Sequence, residues 1–503
     1  MGIPRFFKFI LQNFAGCVSQ IKVSEGFNEN IENLYIDANG IIHTFAQLYN
    51  FGKDDEHVFS QIMIYLDKLL EIIKPTKLFY IAIDGVAPVA KQIQQRQRRF
   101  KASLKKTQRE LRVFDSCSIT PGTCFMKKLS KYMADEIEKR IKTDHLWASV
   151  KVIFSGPEKC GEGEHKIAYY IRTINDKNTS HCIYGLDADL FMIGLLTHCK
   201  NFFLLREMIN DTSVNTDFNT DFYKVNVGHF RTLLCETLET NINKDVINDF
   251  VFMCFFVGND FVPALSMFNN LPDNLMFLIN LYKRFFVKKH IFITNDDAIN
   301  ITAFLSLCKK IGRQENDLLF DQFYNQKYPN VTLMNSLKDL DNPRRGIIYS
   351  RYRANYYKKA SINVKKREEV NEMAKCYIQS LDWINYYYHK NIKNWRWFYP
   401  YHYSPMVKDI VTFIESPAFK IHRISTVNLR PVPAIIQLLS VVPPKSMNLF
   451  SKKVRKIYET EEYKNYYPHT ICLDFEGKLC DWEAVALLPL IDVEKVLELY
   501  NKL

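Results

Sequence analysis

Three short apolar runs in the first half of the chain each stop on an aspartate: "NLYIDANG" at Asp37, "LFYIAIDG" at Asp84, and "HCIYGLDADL" at Asp187 and Asp189. They are rich in β-branched and aromatic residues and show no polar alternation, the pattern of strands buried on both faces. Long segments with apolar residues at spacings of three and four separate them, among them "HVFSQIMIYLDKLLEIIK" and "TCFMKKLSKYMADEIEKRIK". The alternation predicts an α/β fold with a mostly parallel central sheet flanked by helices. In such open sheets ligands bind beyond the carboxyl ends of the strands. Acids placed at strand ends therefore converge on one crevice.

Further acids join them. "GEGE" carries Glu162 and Glu164, and "FFVGNDFVP" carries Asp260 at a polar break after an expected buried helix. Any single Asp after a strand is as often a helix cap or turn residue. Seven at such positions fit that explanation poorly. Clustered carboxylates raise one another's pKa, and hard divalent cations relieve the repulsion. An all-oxygen ligand set without His or Cys selects Mg²⁺, with Mn²⁺ as a substitute, over Zn²⁺. Two such ions about 3.5–4 Å apart suit phosphodiester cleavage.

Just past Asp84 the chain becomes basic. Residues 91–112 hold nine cations (Lys91, Arg96, Arg98, Arg99, Lys101, Lys105, Lys106, Arg109 and Arg112) against one acid, Glu110. On a helix over 89–112, Gln95, Arg98 and Arg99 lie at about 40°, −20° and 80° from Lys91. The four share one face. A solvated surface is the common fate of such a run, but its place beside a strand-end acid favours a phosphate grip. A terminal phosphate held one step from a metal-bound scissile bond would act as a ruler, admitting a 5′ monophosphate and excluding a cap or triphosphate.

The net charge of +12 over 503 residues favours a polyanionic partner. The 12 cysteines are scattered, with no CxxC pair and no zinc spacing, as expected of reduced thiols in a cytosol-like compartment. Neither a secretory leader nor a myristoylation signal is evident, and no apolar run approaches a membrane span. A soluble, cytoplasmic protein is expected.

The segments "MGIPRFFKFI", "NLYIDANGIIH", "AIDGVAPVAKQIQQRQRRF", "SGPEKCGEGEHKIAYYIR", "HCIYGLDADLFMIGL" and "FFVGNDFVP" resemble, in order, the XRN family of 5′→3′ exoribonucleases. "LDWINYYYHKNIKNWRWFYPYHYSP" and "CDWEAVALLPLID" are similar to that family's second conserved region. The resemblance implies a PIN/5′-nuclease-like core and Mg²⁺-dependent, processive degradation of decapped, 5′-monophosphorylated single-stranded RNA to mononucleotides, as in messenger RNA decay. It carries Asp37, Asp84, Glu162, Glu164, Asp187, Asp189 and Asp260 over as metal ligands, and Lys91, Gln95, Arg98 and Arg99 as the 5′-phosphate pocket. It also implies that His43 stacks on the terminal base with a tryptophan of the second region, Trp397 ahead of Trp395. Stacking tolerates any base, which suits an enzyme that must accept them all.

Three regions are expected: a catalytic core at 1–270, a helical and irregular connection at 271–375, and a second conserved region at 376–503 packing on the core. The additional C-terminal domains of larger cytoplasmic members are not evident, and the compact length fits a viral or reduced-genome source. We expect a monomer. Two other readings remain open: a structure-specific nuclease for DNA flaps, and an RNA-binding protein that has lost its chemistry.

Overall fold

The computed structural model describes residues 3, 5–22, 26–105, 114–208, 221–268, 271–324, 327–420, 424, 430–461 and 464–503. The chain divides into two compact units. A sheet unit comprises Ile10–Leu234, Arg430–Thr470 and Ile491–Leu503; a helical unit comprises Met1–Phe9, Cys235–Leu429 and Ile471–Leu490. The expected breaks at 270 and 375 are therefore not where the compact units divide. Residues 235–270 go with the helical unit, and 376–503 is shared between both. The reason is local. The Ala434–Val441 helix buries its apolar residues in the sheet unit, whereas Cys472–Asp474 and Val485–Leu487 pair as a small antiparallel sheet in the other.

The sheet has seven strands: β1 (Val18–Ile21), β2 (Asn33–Asp37), β3 (Leu78–Ala82), β4 (Lys151–Ser155), β5 (His181–Tyr184), β6 (Phe202–Glu207) and β7 (Phe222–Asn226). Their order is β1-β7-β6-β5-β2-β3-β4. The five from β6 to β4 are parallel, and β7 and β1 add an antiparallel edge. The chain lays β3 and β4 to one side of β2, then crosses back to put β5 on the other. That reversal is a topological switch point, the place where open α/β sheets open a crevice.

The predicted strands are β2, β3 and β5, and all are buried on both faces. Leu34, Ile36, Phe79, Ile81, Cys182 and Tyr184 point into one core, packed by Val58, Ile62, Leu66 and Leu69 of the Asp55–Ile73 helix and by Met126, Leu129 and Met133 of the Cys124–Thr143 helix. The alternate residues Tyr35 and Tyr80 face Tyr170 of the Gly163–Ile174 helix, with ring centroids 6.5 and 5.0 Å away. Two-sided burial explains why these strands read as unbroken apolar runs.

The basic helix runs Val89–Lys105. The rest of its expected span, with Lys106, Arg109, Glu110 and Arg112, lies outside the described residues.

The helical unit is built on Lys244–Cys254, Leu271–Phe285, Ile301–Arg313, Tyr349–Lys359, Arg367–His389 and Val407–Ile414, among others. Buried carboxylates staple it. Asp409 takes Arg353 at 2.8 Å and Arg367 at 3.2 Å, and Glu315 accepts from Tyr349 and the Val407 N–H. Arg5 reaches Glu483 at 3.0 Å, joining the first recognisable motif of the chain to the last. Among the described residues, no helix is long and apolar enough to cross a membrane.

Candidate active site

The carboxyl ends of β5, β2 and β3 and the loop after β4 carry the acids. Asp37 is the last residue of β2, and Asp84 follows β3 by two positions. The Asp84 turn is held from both sides: its N–H donates to Asn39 Oδ1 at 3.2 Å, and its Oδ1 accepts the Gly163 N–H at 2.6 Å. A Cβ at position 163 would sit 2.8 Å from Asp37 Oδ1 and 3.4 Å from Asp84 Oδ1. Only glycine lets the "GEGE" backbone come that close. The two loops are laced together further by Gly85 N–H to Gly161 O at 2.9 Å and Gly161 N–H to Val86 O at 2.8 Å.

Asp37, Glu164 and Asp187 each bring a carboxylate oxygen within 4.8 Å of the others. Burial, reinforced by the charges of Asp84 and Asp187, holds the Asp37 carboxyl well above its ordinary range, with Lys91 pulling the other way. Glu164 is pushed well up for the same reasons: burial first, with Asp189, Asp187 and Glu162 adding to it against the pull of Lys91. Six of the seven predicted acids thus interact at one end of the sheet. The donor set is all carboxylate oxygen, which fits a hard divalent cation. Glu164 Oε2 is buried with no hydrogen-bond partner among the described residues, an atom such a cation would satisfy.

The basic helix enters this cluster through Lys91, whose Nζ lies 2.6 Å from Glu162 Oε2 and 3.8 Å from Glu164 Oε1. Gln95 is buried and accepts from Gln437 Nε2 at 3.4 Å. Arg98 is exposed, and its charge acts on the Asp187 carboxylate. Arg99 donates to Thr120 Oγ1 at 2.6 Å and to Ile119 O at 3.3 Å. Arg96 faces the other way and is fully buried, donating to Ser440 O at 2.9 Å and to Tyr466 O and lying over the Phe100 ring. The run divides into a face toward the acids and a side pinned by residues 430–470.

The remaining predicted residues fall as follows. His43 is exposed on the Asn39–Phe45 helix of the sheet unit. Asp260, Trp395 and Trp397 belong to the helical unit. Asp260 sits in a turn opened by Gly258 at φ +86° and closed by Asn259, whose Oδ1 accepts the Phe261 and Val262 N–H groups. The next side chain, Phe261, packs edge-on against buried Trp383 at 5.5 Å, and Trp397 stacks on Trp383 at 5.8 Å. Of the two candidate tryptophans, the half-buried Trp397 is the one in this ring series.

Several residues that shape the site escaped sequence reasoning. Asn39 holds the Asp84 turn; its signal was an amide two residues after a strand-end acid. Lys166 donates to Ile83 O at 2.7 Å and Gly156 O at 3.0 Å, tying the ends of β3 and β4. Burial lowers its pKa to about 8, with Asp84 pulling upward. Gln437 carried the signal of a lone amide within "PAIIQLLSV".

Comparison with known proteins agrees with this picture. Residues 1–208 match the family model of the XRN 5′-3′ exonuclease N-terminus, and residues 240–344 and 341–503 match that of the Xrn1 helical domain. The chain is 32% identical to 5′-3′ exoribonuclease 1 of Homo sapiens and 28% identical to that of Saccharomyces cerevisiae, over 99% of its own length in both cases. It spans 34% and 43% of those relatives, so less than half of either. Among solved structures, the catalytic core of Rad2 in complex with DNA substrate aligns at 16% identity and a TM-score of 0.34, covering 70% of this chain and 84% of that one, a likeness too weak to carry an argument. The strand-end acids, the basic helix and the two matching family models together mean that this chain belongs to the XRN family of 5′-3′ exonucleases.

Proposed function

We propose that this chain hydrolyses single-stranded RNA from a 5′ monophosphate, releasing mononucleotides. The observation that carries the reading is the meeting of Lys91, from the basic helix, with Glu162 and Glu164 of the acid cluster. That contact supports a phosphate grip set beside cation-binding acids, as a one-nucleotide ruler requires. The names of the relatives, 5′-3′ exoribonucleases, point the same way.

In this reading Asp37, Asp84, Glu162, Glu164, Asp187 and Asp189 hold Mg²⁺, or Mn²⁺ in its place. Two bound ions would supply an activated water and charge stabilisation for the departing oxygen. The protein's own residues do the positioning. Asn39 and the Gly163 N–H hold the Asp84 carboxylate in one orientation. Lys91, Gln95, Arg98 and Arg99 receive the terminal phosphate, and the Arg forks suit its oxygens. His43 stacks on the terminal base. The setting implied is the decay of decapped messenger RNA in the cytoplasm by a monomer.

The test is direct. RNA carrying a 5′ monophosphate, labelled at either end, is incubated with Mg²⁺ or with chelator. The 5′-labelled strand should yield labelled mononucleotide at once, and the chelator should abolish it. Internal fragments, or turnover that persists in chelator, would refute the reading. Asp187→Ala with Asp189→Ala should retain RNA binding and lose turnover.

A further inference from the structure

We infer that Gln437 is a positioning residue for the 5′-phosphate pocket: it decides which end of the Gln95 amide is offered to the incoming phosphate. The inference rests on the pocket reading above and adds a residue from the far end of the chain to it.

The argument starts at Ala87, in the turn between Asp84 and the basic helix. Its backbone N–H donates to Gln437 Oε1 at 2.9 Å, and its carbonyl accepts from Gln92 Nε2 at 2.8 Å. An N–H can only donate, so the atom of Gln437 that faces it has to be the amide oxygen. A flipped Gln437 would bury two donors against each other, which costs the desolvation of both. Gln437 is 1% exposed, so water cannot relieve the clash. With its oxygen committed, Gln437 presents Nε2 to Gln95 and lies 3.4 Å from Gln95 Oε1. That oxygen therefore has to accept, and the two N–H donors of Gln95 are turned away from Gln437. By helix geometry Gln95 shares a face with Lys91 and Arg98, within about 60° of each.

A terminal phosphate oxygen accepts hydrogen bonds. Gln95 serves such a ligand only with its –NH₂ outward; turned around, it would point a carbonyl oxygen at an anion. A backbone N–H thus fixes one buried amide, which fixes a second, and the result is a neutral side chain held as an obligate donor. Gln437 lies in the Ala434–Val441 helix, whose Ser440 carbonyl also accepts from Arg96. The Arg430–Thr470 segment of the sheet unit thereby sets the chemistry of the pocket without touching substrate.

The experiment compares kcat/KM on 5′-monophosphate and 5′-hydroxyl RNA, with Mg²⁺, for the full chain and for Gln437→Met, Gln95→Met and the double variant. Thermal unfolding is followed in parallel. Gln437→Met should cut the preference for the monophosphate roughly tenfold, Gln95→Met should do the same, and the double variant should be no worse than Gln95→Met alone. Should Gln437→Met not fold, Gln437→Glu carries the test. Ionised, at alkaline pH, it still accepts from Ala87 but cannot donate to Gln95, and there it should cut the preference at least as far. The relay is overturned if Gln95→Met cuts the preference while the position-437 variant slows both substrates equally, or if the two losses add. A Gln95→Met variant with undiminished preference would overturn the pocket reading itself, and the relay with it.

Discussion

Lys91 Nζ stands 2.6 Å from Glu162 Oε2 and 3.8 Å from Glu164 Oε1, both carboxylates buried. One cation therefore serves two surfaces. It is the first residue of the expected phosphate grip, and it is the counter-charge of the acid cluster. Removing it should affect more than recognition of the 5′ end. Lys91→Met is expected to slow turnover of 5′-monophosphate and 5′-hydroxyl RNA alike, by more than roughly tenfold, and to shift the Mg²⁺ concentration needed for half-maximal rate. A loss confined to the monophosphate would assign Lys91 to the pocket alone.

Arg98 and Arg99 should part company. Arg98 is exposed and Arg99 is bonded to Thr120 and Ile119. Arg98→Ala is expected to reduce the monophosphate preference with unchanged thermal stability. Arg99→Ala should reduce it too, and also lower stability by about 1–2 kcal/mol because two bonds are lost. Denaturant unfolding alongside the rate ratio separates the two.

Arg96 belongs to the interior. Arg96→Ala strands the Ser440 and Tyr466 carbonyls and opens a cavity beside Phe100, for an expected cost of about 2–4 kcal/mol. Among the folded molecules that remain, the ratio of rates on the two RNAs should move far less than with Arg98→Ala.

Gly163→Ala examines the closeness of the two loops. Its Cβ would meet Asp37 Oδ1 at 2.8 Å, well inside contact distance. Displacing that carboxylate by even 1 Å should cost roughly 10²-fold in rate, and Mg²⁺ affinity should fall. Full activity would mean that Asp37 tolerates relocation and is not a ligand.

The raised pKa values of Asp37 and Glu164 predict how stability depends on pH. Groups whose folded pKa lies above the unfolded value bind protons more tightly when folded. Their contribution is fully present below the unfolded carboxylate range, about pH 4, and is lost as pH rises toward the folded pKa. In chelator, thermal stability should therefore fall over that interval, Mg²⁺ should restore it, and Asp37→Asn should show a smaller fall. A wild-type profile in chelator identical to that of Asp37→Asn would contradict the shifted groups.

How much of this could be read in advance follows from the range of the interactions. β2, β3 and β5 were legible because strands covered on both faces lose all polar alternation, and strand-end acids were legible because an acid stops an apolar run. β4 was not, since Val152, Ile153 and Phe154 are only half-covered at the sheet edge; β6 ends on an acid, Glu207, but Arg206 interrupts the apolar run before it, and β7 offers no strand-end acid to mark it. The shared helical face of Lys91, Gln95, Arg98 and Arg99 was visible, yet the separate fates of Arg96 and Arg99 were not, because both depend on carbonyls distant in sequence.

By itself the sequence determined which residues carry charge, where apolar runs end, and which periodicity each segment follows, all properties of neighbours along the chain. Tertiary structure alone decided that Lys91 neutralises Glu162 and that Gln437 faces Gln95, 342 positions away. The physical reason is that a hydrogen bond or ion pair depends on angstrom separations, and those are set by how helices pack on a sheet, which no local pattern records.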